Sequence, residues 1–97
     1  MSDLQLAVKG VYFDAMQTGE KVEEYRLVSP YWINRLMSGF KQRNYDRLII
    51  TRGYPKRDDL SKRIVVPYNG YEIKFITHEH FGPDPVKVFA IKINLQP

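Results

Sequence analysis

Thr18-Gly19-Glu20-Lys21-Val22-Glu23-Glu24-Tyr25-Arg26 marks a change of structural period, and the fold is read outward from it. Before it, Val11 and Ala15, Tyr12 and Met16, and Phe13 and Met16 stand three or four residues apart, the spacing of a helix face. Gly19 supplies a natural stop, so a short helix is predicted from about Val11 to Thr18. After it the period becomes two, with Val22, Glu24 and Arg26 on one face of a strand and Glu23, Tyr25 and Leu27 on the other. Lys21 lies at the mouth of the turn. A carboxylate flanked by two cations keeps its charge and fixes the direction of each cation. Such a cluster can hold a phosphate or a polar base edge, or deliver a proton. The plainer alternative is a surface ion-pair network that orients the strand.

Upstream, Leu4, Leu6 and Val8 alternate with Gln5 and Ala7 as in a half-buried strand ending near Gly10. Downstream, Ser29 can cap a second helix and Pro30 suits its first turn. Trp32, Ile33, Leu36, Met37 and Phe40 form an apolar stripe that Gly39 closes, and Trp32 is read as core. The second half reads as β structure. Arg47 to Thr51 is a buried-type strand, followed by a polar loop through Gly53, Pro55, Asp58 and Asp59. Ile64 to Val66 is a short strand, and Asn69-Gly70 is a hairpin signal leading to Tyr71 to Thr77, where Tyr71, Ile73 and Phe75 share a face. A last strand runs from Val86 to Leu95. About six strands and two short helices near the N-terminal half make an α+β chain, and short strands punctuated by turns point to a small mixed barrel forming a single domain, 1–97.

Ninety-seven residues, 43% hydrophobic and 27% charged, exclude a second domain with its own core and a complete (β/α)₈ barrel. The absence of cysteine removes disulfides, thiolate nucleophiles, iron–sulfur clusters and cysteine-ligated zinc. It suits a reducing cytoplasm. The N-terminus lacks a basic stretch followed by a leader-length apolar run, and no apolar stretch is long enough to span a membrane. The net charge of +4 is concentrated. Between Lys41 and Arg63, eight cations face only Asp46, Asp58 and Asp59, and the rest of the chain is nearly neutral. This segment interleaves Tyr45 and Tyr54 with its cations, a combination that neutralises phosphates and stacks unpaired bases. Arg52-Gly53-Tyr54 follows a strand directly, with Lys56 and Arg57 just beyond.

Gly19-x-Lys21-x-x-Glu24-x-Arg26, set after a strand and a short helix and before a second helix and a run of strands, resembles the ASCH domain, a relative of the PUA RNA-binding barrel. The resemblance covers nearly the whole chain. It implies a PUA-like β-barrel with a cleft beside the motif and RNA or nucleotide-like ligands. The cleft is then expected to be lined by Lys21, Glu24 and Arg26 with Arg52 and Tyr54 across from them, and the basic loop adds Lys56 and Arg57 as candidate RNA-binding residues. Some members resemble amidohydrolases acting on N4-acetylcytidine, with a threonine where this chain has Glu24, and others are described as metal-independent ribonucleases. An enzyme of either kind here would use Lys21 as nucleophile or base and Glu24 as its partner; a non-catalytic interaction protein is the remaining alternative. No cofactor is implied, and nothing demands more than a monomer.

His78-Glu79-His80 would put two imidazoles on one face of a strand, but two ligands are not a metal site, and no metal is expected. No G-x-S-x-G, Walker loop, G-x-G-x-x-G or H-E-x-x-H occurs.

Overall fold

Alternating apolar side chains build the first sheet. The computed structural model describes residues 2–93. Residues 2–22, 44–69 and 93 form one compact unit, and residues 23–43 and 70–92 a second. In the first, β1 (Asp3–Val8) runs parallel to β5 (Arg47–Arg52), which pairs antiparallel with β6 (Arg63–Pro67). The register sets Leu4 beside Leu48 and Leu48 beside Val66, then Leu6 beside Ile50 and Ile50 beside Ile64. One sheet face is therefore continuous aliphatic surface, and all of these residues are buried. Helix α1 (Gly10–Gln17) packs beside β5 and buries Phe13 and Met16. Each such side chain contributes roughly 1.5–3 kcal/mol when withdrawn from water.

The second unit is organised around β8 (Val86–Lys92), the middle strand of an antiparallel sheet with β2 (Glu23–Leu27) and β7 (Tyr71–Ile76). Val88, Phe89, Ala90 and Ile91 are consecutive and all buried, so this strand is covered on both faces. That explains why its sequence is an apolar run rather than a clean alternation. Phe89 meets the edge of Tyr71 at 4.8 Å between ring centroids. Helix α2 (Pro30–Leu36) begins as its sequence predicts: the Ser29 hydroxyl accepts from the Trp32 N–H at 3.4 Å and Pro30 occupies the first turn. A two-stranded ribbon, β3 (Met37–Ser38) with β4 (Lys41–Gln42), follows directly.

Several expectations are corrected. The described strands number eight and form three open sheets, not one closed barrel of about six. The small α+β composition holds. The main reason lies at Asn69-Gly70, which does not join a hairpin: β6 pairs with β5 and β7 with β8. A type I′ turn needs positive φ at both central residues. Gly70 has φ 80°, but among the described residues, Asn69 included, no non-glycine residue has positive φ, so the turn conformation fails at Asn69. The chain passes from one sheet to another there.

Helix α2 stops at Leu36, because Gly39 serves the β3–β4 turn instead of a helix end. Phe40, expected on the apolar stripe, is fully exposed, and Trp32 is only half-buried. On β7 the shared face of Tyr71, Ile73 and Phe75 is buried at Tyr71 alone; Ile73 is 46% and Phe75 72% exposed. His78 to His80 is not strand: residues Glu79–Phe81 form a 3₁₀ turn, and the His80 N–H donates to His78 Nδ1 at 3.0 Å. The expected end of the last strand, Asn94 and Leu95, lies outside the described residues.

Candidate functional site

Within the second unit, the register of β2 against β8 sets Glu24 opposite Ile91 and Arg26 opposite Phe89, on one sheet face. Glu24 is only 7% exposed, and the Arg26 Nη2 donates to its Oε2 at 2.9 Å. The Arg26 guanidinium also lies over the Trp32 ring at 5.1 Å. Arg35 stands over the same ring at 5.6 Å and over Tyr31 at 5.9 Å, and donates to the Tyr31 hydroxyl at 3.1 Å. The motif pair thus extends into a ladder of two guanidinium groups and two rings. Helical spacing builds it, since Arg35 follows Tyr31 by four residues and Trp32 by three. Sequence reasoning placed Trp32 in the core and missed Tyr31 and Arg35; the Tyr31, Trp32, Arg35 spacing was the available signal.

The opposite face of this sheet carries a second polar cluster. Lys74 Nζ donates to both Glu23 carboxylate oxygens, at 3.0 and 2.8 Å, and the Tyr25 hydroxyl donates to Glu23 Oε1 at 3.2 Å. Burial first, and then the Glu23 carboxylate, push the Tyr25 phenol above its ordinary range. Glu23 holds the Lys74 ammonium above its ordinary value as well. The His78 ring lies 6.4 Å from that of Tyr25.

In the first unit, Gly19 and Lys21 complete the exit from α1, where the Lys21 N–H donates to the Ala15 carbonyl at 3.0 Å. Lys21 Nζ stands 5.3 Å over the Tyr12 ring, so its side chain is directed by a cation–π contact within the unit. Arg52, at the end of β5, donates to Asp14 at 3.3 Å, and its guanidinium lies so close to Gly10 that a Cβ there would meet it at 2.5 Å. Beyond it the chain turns outward. Tyr54 is 96% exposed, Lys56 and Arg57 are exposed, and among the described residues neither cation has a side-chain partner.

The basic segment is divided between the two units, and several of its cations are already engaged. Lys41 and Arg43 belong to the second unit, and Arg43 donates to the Asn34 carbonyl. Arg47 is clamped to both oxygens of Asp3, at 3.0 and 2.8 Å, and Lys62 pairs with Asp59. The Arg47 guanidinium holds Asp3 below the usual carboxylate range. Among the described residues, Lys56 and Arg57, in the loop that carries Tyr54, stay without a side-chain partner, as does the exposed Lys41 in the second unit. No group of three or more His, Asp or Glu side chains fit to hold a metal ion occurs among the described residues, and none of their helices is long and apolar enough to cross a membrane.

The chain matches no protein-family model, and neither the curated proteins nor the solved structures contain a match to it.

Proposed function

We propose that the chain is an RNA-binding or RNA-processing module of ASCH type, built on a PUA-like arrangement and acting in the cytoplasm. The observation that carries the reading is the loop after β5: a tyrosine 96% exposed, followed within three residues by two cations whose side chains have no partner among the described residues. An aromatic face offered to solvent stacks an unpaired base, and adjacent cations neutralise the phosphates on either side. The guanidinium–aromatic ladder of Arg26, Trp32, Arg35 and Tyr31 adds a second surface of the same chemistry in the other unit. There Glu24 serves as the buried anchor that aims Arg26.

The test is fluorescence anisotropy of a labelled single-stranded RNA over a salt series. Tyr54→Ala should weaken binding by about 1–3 kcal/mol, five- to hundredfold or more, at constant salt. Lys56→Gln and Arg57→Gln should each lower the slope of log affinity against log salt by about 0.7. Unchanged slopes, or no binding at low salt, would remove the proposal. In the same tubes, RNA cleavage that persists with chelator and disappears in Lys21→Ala assigns an enzyme, while binding without turnover assigns a module.

A further inference from the structure

We propose that the outer edge of β7 pairs with the same edge of a second copy of this chain, and that the Gln42 carboxamide is the latch that holds this edge closed. β7 is an edge strand, with β8 on one side and no strand on the other among the described residues. The hydrogen-bond phase of the sheet is fixed at two places. The Lys92 N–H donates to the Gly70 carbonyl, and the Val28 N–H to the Lys87 carbonyl. Alternation of ladder bonds then turns Glu72, Lys74 and Ile76 toward β8 and leaves the N–H and C=O of Tyr71, Ile73 and Phe75 facing outward.

Direct contact at Tyr71 bears this out. The Gln42 Nε2 donates to the Tyr71 carbonyl at 3.0 Å, and the Tyr71 N–H donates to Gln42 Oε1 at 3.3 Å. One side-chain amide thus makes both bonds that a neighbouring strand would make. Among the described residues nothing covers Ile73 and Phe75, the next two outward residues, in this way, and they are 46% and 72% exposed. Exposed edges of this kind are templates for pairing.

The occupant follows from the sequence of the edge, which is self-complementary. Tyr71-Glu72-Ile73-Lys74-Phe75 reads ring, acid, isoleucine, base, ring, and in reverse ring, base, isoleucine, acid, ring, so each charge opposes its complement when the strand runs against its own copy. An antiparallel pair with its two-fold axis at Ile73 sets Ile73 against its own copy and Tyr71 against the partner's Phe75. On the other face, Glu72 meets the partner's Lys74 and Lys74 the partner's Glu72. Cross-strand pairs of aromatic or opposite-charge type stabilise such a ladder, and the symmetry closes at two copies. The full ladder requires the Tyr71 rung, which Gln42 occupies. Gln42 therefore competes with the partner and keeps the wild-type chain mainly monomeric.

The experiment combines sedimentation equilibrium with disulfide crosslinking in this cysteine-free chain. Gln42→Ala should tighten dimerisation by about tenfold or more, since two hydrogen bonds of roughly 0.5–1.5 kcal/mol each no longer compete. Adding Ile73→Pro to that variant should abolish the dimer while leaving the β7–β8 ladder intact, because the lost N–H faces outward. In the Gln42→Ala background, Ile73→Cys should oxidise rapidly to a covalent dimer, the Cα atoms of a hydrogen-bonded pair lying about 5.5 Å apart. Phe75→Cys, whose copies would stand roughly 13 Å apart in this register, and Val65→Cys, an exposed position on β6, should crosslink no faster than chance collision. Equal crosslinking at Ile73 and Val65, or a Gln42→Ala chain monomeric at every concentration, overturns the proposal. If that monomer instead protects its β7 amides on adding an unrelated extended peptide, the edge receives a foreign strand and self-pairing is likewise refuted.

Discussion

Replacing Arg26 by alanine removes a charged partner of Glu24, a residue only 7% exposed. Two interactions are lost together: the 2.9 Å hydrogen bond to Glu24 and the stack on Trp32 at 5.1 Å. A hydrogen bond to a charged group contributes about 1.5–3 kcal/mol, and a cation–π contact about 0.5–2. Because Arg26 keeps 22% of its side-chain surface in water, values in the lower half of both ranges apply, and the expected loss is about 2–3.5 kcal/mol. For a chain of this size that lowers Tm by roughly 8–28 °C. Urea unfolding followed by circular dichroism measures it, with a double-mutant cycle against Glu24→Gln. The cycle should give a coupling of about 1–3 kcal/mol, since the two side chains touch. If Arg26→Ala cost less than about 0.5 kcal/mol and the two substitutions added, the pair would be an ordinary surface contact and the anchoring role of Glu24 would be wrong.

Three further outcomes are expected. Phe89→Ala, in a fully buried strand centre, should cost about 3–5 kcal/mol, whereas Phe40→Ala, fully exposed, should change urea stability by less than about 0.5. Gly70→Ala forces a side chain into φ 80° with its Cβ 2.7 Å from Gln42 Oε1; a loss of about 1–2 kcal/mol should appear together with a shift of the Gln42 side-chain amide resonances. Asp3 is held below its ordinary value of 3.8 by Arg47, so the folded state binds that proton less tightly than the unfolded chain. The pair's contribution is therefore present above that value and fades as pH falls through the lowered one. Arg47→Gln should be less stable than wild type at neutral pH and converge with it in acid, and a gap that stays constant down to about pH 2 would contradict this linkage.

Local order was legible in the chain itself. Period-two and period-three-to-four spacing located β1, α1, β2 and β5 within a residue or two and the start of β8 at Val86, and Ser29-Pro30 marked the start of α2, because these signals depend on neighbours a few positions away. The pairing of Glu24 with Arg26 was legible for the same reason, being two residues apart on one strand. Partners distant in sequence were not. Asn69-Gly70 looks like a hairpin until β6 is taken by β5 and β7 by β8. The basic run between Lys41 and Arg63 is one block of charge in sequence, yet Asp3, Asp14 and the Asn34 carbonyl each occupy one of its arginines. What the sequence by itself determined is which segments are helical or extended and where charge and aromatic side chains are concentrated. Tertiary structure alone decided which strands share a sheet, which cations remain open to a ligand, and that Gln42 closes the edge at Tyr71, because backbone pairing and burial depend on residues far apart in the chain.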